Sequence, residues 1–310
     1  MSLRIQKKIP EILYSFVKLL AFLPLPVLLF FSDIFMYPLV YYVVRYRLEV
    51  VRKNLGNSFP EKTKKELRRI EREFYHHFCD SFGETIHILN MSPGETKKRM
   101  QYTNPEMLTD FARRGQGVLL LIGHYGNWEY QTFVFLDMLE SGNQIGYAIY
   151  RPLKNKAFDH LYAKIRTHFN NGILTKQETY RTIIRLRREG KAAALGLVSD
   201  QTPSRGNLHY WTRFLNQDTP MLTGPERMAK QTGFGVVYSD VEKLGRGRYR
   251  TTYKLITENP NETAEFEITE KYARLMEETI LRQPAYWLWT HKRWKHKHEP
   301  DNLKDGEETE

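Results

Sequence analysis

Apolar positions along the chain change their spacing three times, and each change predicts a different kind of element. From Leu19 to Ser32 (LLAFLPLPVLLFFS) fourteen residues carry no charge, and after Asp33 the apolar character resumes through Val44. A fourteen-residue helix is ~21 Å long at ~1.5 Å per residue, short of the ~20 residues that a bilayer core requires. Pro24 and Pro26 also interrupt its hydrogen-bond ladder. Arg4, Lys7, Lys8 and Lys18 precede the run, and Arg45, Arg47, Arg52 and Lys53 follow it. Positive charge at both ends puts both on one side of a membrane, so the pattern predicts an anchor that re-enters or lies in the membrane plane. A buried helical hairpin of a soluble core is the competing reading, and no small-residue cleavage site of a secretory signal follows.

Beyond Pro60 the spacing becomes helical. Leu67, Ile70, Phe74, Phe78, Phe82 and Ile86 recur at three- and four-residue intervals, predicting an amphipathic helix over 61–90 with Cys79 beside its apolar stripe as a small core residue. From about residue 116 short apolar runs take over at Val118–Ile122, Ile145–Tyr150, Ala193–Val198 and Phe234–Val241, separated by amphipathic stretches. Strands alternating with helices predict an α/β fold, a mostly parallel central sheet flanked by helices. Arg248–Ile256 alternates like a half-exposed strand and would pair with 234–243 through Gly245-Arg246-Gly247; Glu262–Arg282 reads as a final helix. The implied organisation is a membrane-associated anchor over 1–45, a helical connector with one α/β domain over 46–298, and a polar tail over 299–310.

Charge sharpens this picture. The 310 residues carry a net +11, yet the last twelve hold six acids and one lysine, so the body before them carries +16. Such a body attracts an acidic partner, whether nucleic acid, anionic lipid or an acidic carrier protein. A mean hydropathy of −0.56 excludes a polytopic membrane protein. A single cysteine excludes an internal disulfide, and without a CxxC pair a structural zinc is not expected. No G-x-G-x-x-G or P-loop is present, so no nucleotide cofactor is implied. His291-Lys292-Arg293-Trp294-Lys295-His296-Lys297-His298 gathers positive charge around an indole, as either a solvated helix end or a phosphate-binding patch. Trp287, Trp289 and Trp294 lean toward a membrane-facing surface.

Candidate chemistry collects where strands end, the usual position of sites in open α/β sheets. VLLLIG runs directly into His124-Tyr125-Gly126-Asn127-Trp128-Glu129. On a regular helix a five-residue separation lies ~140° around the axis. His124 and Glu129 can therefore pair only if the chain turns at Tyr125-Gly126, which glycine permits. A carboxylate on one imidazole nitrogen would leave the other as a general base. No serine or cysteine lies in this stretch, so the nucleophile would come from the substrate. The competing reading is a histidine satisfied by local hydrogen bonds. Asn127 reads equally as an oxyanion donor or a helix cap. Arg151 reads as a headgroup ligand or a loop tie. Asp200 and Gln201, ending a second buried strand, read as a structural pair with an arginine or as direct participants.

The segment GHYGNWE after an apolar strand resembles the lysophospholipid-type acyltransferases, specifically the late lipid A acyltransferases that add secondary lauroyl or myristoyl chains. Tyr150-Arg151-Pro152 with Asn155, Lys164-Ile165-Arg166, Val198-Ser199-Asp200-Gln201, Pro225-Glu226-Arg227-Met228-Ala229 and the stretch from Tyr286 to Lys295 continue the resemblance in order. It implies His124 as base, Glu129 as its orienting acid, essential roles for Arg166 and Asp200, and substrate contacts from Asn127, Arg151 and Gln201. It further implies an acyl-acyl carrier protein donor, a lipid A precursor as acceptor, and a place on the cytoplasmic face of the bacterial inner membrane, whose anionic surface suits the basic body. Neither metal nor cofactor is called for, and nucleic acid is not an expected partner. The sequence departs at Phe214-Leu215-Asn216, where the family commonly has Phe-Phe-Gly, a stretch expected near the acceptor. Two rival readings are an O-acyltransferase for another acceptor (an aminolipid, glycolipid or lysophospholipid) and a non-enzymatic lipid-binding protein that uses Lys292, Arg293 and Lys295.

Overall fold

A computed structural model describes residues 3–136, 144–169 and 171–296. The acidic tail lies outside these residues, as do Lys297 and His298. Among the described residues there are nine strands: β1 Met100–Tyr102, β2 Val118–Ile122, β3 Gln144–Ile149, β4 Gly172–Leu174, β5 Ala192–Val198, β6 Trp211–Phe214, β7 Gln217–Pro220, β8 Gly235–Gly245 and β9 Arg248–Thr257. Seven form one sheet in the order β1-β9-β8-β2-β5-β3-β4, while β6 and β7 form a separate hairpin. All neighbours in the large sheet are parallel except β8 and β9. The sheet is therefore α/β and mostly parallel, and its central strand β2 is buried at every position, as a strand covered on both faces must be. Leu119 and Leu121 join the larger core on one face, and Val118, Leu120 and Ile122 join a second core on the other.

The helix predicted over 61–90 spans Lys64–His87. Thr63 and Glu66 start it as a reciprocal capping box, with the Thr63 backbone N–H 2.8 Å from the Glu66 carboxylate. Its predicted stripe is only partly a core stripe, because Phe82 is exposed whereas Glu71, Asp80 and Glu84 are buried. Cys79 is fully buried, and burial pushes its thiol up to about 12. The final helix begins at Glu267, five residues later than predicted, because Phe266 takes a left-handed conformation that interrupts the helical path.

At the N-terminus, helix Leu3–Ala21 ends before Pro24, and a second helix starts at Leu25 and continues through two π-helical turns to Val43. Leu25–Val43 is long and apolar enough to cross a membrane. Arg246, at the β8–β9 turn, fastens this segment to the body, with its guanidinium 2.7 Å from Asp33 and 2.6 Å from Asp80.

Candidate functional site

Strand register builds the centre of the site. Ile122 of β2 pairs with Val198 of β5, so the residues two positions past each strand, His124 and Asp200, emerge side by side. Asp200 accepts from the His124 backbone N–H at 2.9 Å and from its Nδ1 at 2.6 Å. The Trp287 indole N–H donates to the same carboxylate at 2.7 Å. Burial alone would raise the Asp200 carboxyl; the charge and hydrogen bond of His124, with the Trp287 indole, outweigh it and hold the group at about 2. Asp200 is thus ionised at neutral pH and Nδ1 carries the hydrogen, which leaves Nε2 as an acceptor. Gln201 Nε2 lies 3.1 Å from that nitrogen.

The chain between His124 and Glu129 does turn. Gly126 has φ +58 and its N–H bonds to the Tyr286 carbonyl at 2.9 Å, while Tyr125 forms a β-bridge with Trp287 and Leu288 N–H reaches the His124 carbonyl at 3.1 Å. The turn does not bring Glu129 to the imidazole. Glu129 is buried and accepts both Arg166 Nε at 2.8 Å and Nη2 at 2.6 Å. The carboxylate on His124 is Asp200, because the 3₁₀ turn at Trp128–Phe133 aims Glu129 at the helix Lys156–Arg166. Burial opposes the Arg166 charge, but the Glu129 carboxylate more than compensates and raises its pKa. The Tyr162 ring stacks 5.4 Å from the guanidinium.

Asn127 is a cap: its Oδ1 accepts the Glu129 N–H, and its Nδ2 donates to the buried Glu84 at 3.1 Å. Its amide hydrogens are committed there, away from the imidazole.

A cleft of about 470 Å³ joins His124, Glu129, Arg166 and Gln201. Its inner wall is apolar, with Ile122, Phe135, Ala148, Gly196 and Val198, and its rim carries Arg151 and Lys154. A smaller cleft of about 280 Å³ shares Trp128, Glu129 and Gln201 with it and runs out past Phe78 and the exposed Phe82. Two clefts therefore meet along Trp128, Glu129 and Gln201, and the Gln201 amide lies against the imidazole that lines the larger one.

Two sequence readings are corrected here. Trp287 and Trp289 are 2% and 0% exposed, so they do not face a membrane; both belong to the core beneath the site. Arg293 is fully buried with its Nη2 on the Pro220 carbonyl, so it takes no part in a surface phosphate patch. Trp287 is the functional residue that sequence reasoning missed, since nothing local ties it to Asp200 across 87 positions. The departure at Phe214-Leu215-Asn216 forms the β6–β7 turn, where Leu215 and Asn216 take φ +49 and +60. Asparagine tolerates that conformation best after glycine, and the turn docks on Ser58, outside both clefts.

Comparison with known proteins yields one family. No curated protein matches the chain. Residues 4–296 match the bacterial lipid A biosynthesis acyltransferases from end to end of the folded body, and the chain belongs to that family, which makes it an acyltransferase.

Proposed function

We propose that the protein transfers a fatty acyl chain from acyl-acyl carrier protein to a hydroxyl of a lipid A precursor, with His124 as general base, at the cytoplasmic face of the inner membrane. The observation that carries this reading is the ionised Asp200 on His124 Nδ1, with Nε2 against Gln201, a residue that lines both clefts. The acceptor hydroxyl displaces the Gln201 amide and gives its proton to Nε2. Its oxygen attacks the thioester carbonyl carbon, and the oxyanion forms beside the Arg166 guanidinium, which Glu129 holds by two hydrogen bonds. Collapse breaks the carbon–sulfur bond, and the imidazolium returns the proton to the departing thiolate. The product is an ester and a free carrier thiol.

The larger, apolar-walled cleft takes the acyl chain, and Arg151 and Lys154 at its rim attract the acidic carrier. The smaller cleft, lined by Tyr46, Phe78 and the exposed Phe82, admits the lipid acceptor. A purified enzyme assayed with labelled acyl carrier and lipid A precursor tests this. His124→Ala should lower the rate by ~10³ or more, and Asp200→Asn by ~10²–10⁴, each measured well below its own unfolding temperature because both changes break a buried pair. Full activity in a folded His124→Ala protein would remove the base assignment. In cells lacking the gene, lipid A should be lighter by one acyl chain, restored by wild type and not by His124→Ala.

A further inference from the structure

The chain places a second, strongly cationic cleft away from the acyl-transfer centre. It encloses about 400 Å³ and is lined by Arg45, Arg52, Arg68 and Arg72 together with Tyr41 and Tyr42. Two of these guanidinia, those of Arg52 and Arg68, hold one carboxylate, Glu71, which is buried and already saturated. Glu71 accepts Arg52 Nε at 2.9 Å and Nη2 at 3.2 Å, Arg68 Nη1 at 3.2 Å and the Tyr41 hydroxyl at 2.7 Å. It fixes two of the arginines in place but neutralises only one unit of charge. Among the described residues neither Arg45 nor Arg72 has an ion-pair partner, and both are exposed. Guanidinia clustered in this way repel one another unless an anion joins them, and their planar forks match phosphate oxygens.

Position identifies the anion. The cleft lies at the C-terminal end of Leu25–Val43, where Phe35, Leu39, Tyr42, Val43 and Val44 are 52–72% exposed. Apolar side chains so exposed fit hydrocarbon, and the residue that follows them, Arg45, then lies at headgroup depth. Arg45 is held at φ +52 and Arg47 at φ +53, conformations that non-glycine residues adopt at a cost and that separate the apolar segment from the helix Leu48–Ser58. We infer that this cleft binds the phosphate of an anionic lipid headgroup and so fixes the depth at which the enzyme sits in the membrane. The inference rests on the membrane placement in the reading above and not on its acyl chemistry.

Vesicle flotation of the full chain tests it, with phosphatidylcholine alone or mixed with phosphatidylglycerol. Arg45→Gln/Arg72→Gln should lose about 25-fold in affinity for the anionic vesicles, roughly fivefold per guanidinium. Arg181→Gln/Arg185→Gln, which removes the same charge from an exposed helix elsewhere, should change binding by less than about twofold if the effect is local and not long-range attraction. Equal losses in both double variants would overturn the site, as would unchanged binding of the Arg45/Arg72 variant. If millimolar inorganic phosphate raises the unfolding temperature of wild type alone while the vesicles do not discriminate, the cleft takes free phosphate and the lipid assignment falls. Thioester turnover is measured on each protein in parallel. Retained turnover in the Arg45/Arg72 variant shows that a binding loss is not unfolding, and inactivity of every protein would count against the acyl-transfer chemistry while leaving the vesicle result intact.

Discussion

His124 has its orienting carboxylate in Asp200, and the glutamate of the H-x-x-x-x-E pattern serves an arginine instead. Glu129 and Arg166 meet through two parallel N–H···O bonds, a geometry that an ammonium cannot reproduce. Arg166→Lys should therefore lower the rate by ~10²–10³ despite keeping the charge, with the loss in kcat and not in KM, if the guanidinium acts on the oxyanion. Steady-state kinetics with acyl carrier as the varied substrate reads this split, and a pure KM effect would move Arg166 to substrate binding. The sequence displays all four of these side chains at strand and helix ends. It does not display who pairs with whom, because the His124–Asp200 contact depends on β2 lying next to β5, a fact of sheet order.

Elements supply the precision that single residues lack. The turn after β2 works because Gly126 sits at φ +58, with the Tyr249 ring where a side chain would begin: a Cβ there would lie 2.9 Å from Tyr249 Cε1. Gly126→Ala should destabilise the protein by about 1–3 kcal/mol and, by shifting His124 against Asp200, reduce activity at temperatures where the protein is still folded. Thermal unfolding combined with rate measurement checks both effects. Local pattern made the long strands and the helix Lys64–His87 legible, since continuous apolar runs and three-to-four spacing are properties of neighbours in sequence. The short strands β1 and β4 were not legible at three residues each. Nor were the buried acids on the inner face of that helix. Asp80 and Glu84 look solvated in a sequence of alternating charge, and the β8–β9 hairpin, arriving from more than 160 positions away, supplies Arg246, the Gly247 N–H and the Tyr249 hydroxyl that, with Ser32 and Asn127, satisfy them.

For the whole molecule, histidines whose pKa is lowered by burial make stability sensitive to acid. Burial, joined by the Arg293 and Lys295 charges, pushes His291 down to about 4 from an ordinary 6.5, against the opposing pull of Asp200. The unfolded chain then binds the extra proton between pH 6.5 and about 4 while the folded chain does not, so stability falls as pH falls through that window. The loss attributable to His291 is on the order of 3 kcal/mol at most, less where water screens the half-buried ring. Unfolding temperatures of wild type and His291→Gln at pH 7 and pH 4.5 should differ in their pH dependence, with the variant less acid-sensitive. Identical slopes would place the acid response elsewhere, with the fully buried His77 next in order.

Three stretches of chain far apart in sequence converge on the Asp200 carboxylate, and the last of them, around Trp287, also lies as a bridge along Tyr125. On a ribosome this imposes an order of events. The segment carrying His124 and the one carrying Asp200 leave the exit tunnel first and can form their strands, but the indole that completes the hydrogen bonding of the acid follows 87 residues behind it. A nascent chain thus stays without a finished reaction centre until the stretch around Trp287 is out, by which time its apolar segment Leu25–Val43 has long been free to find a bilayer.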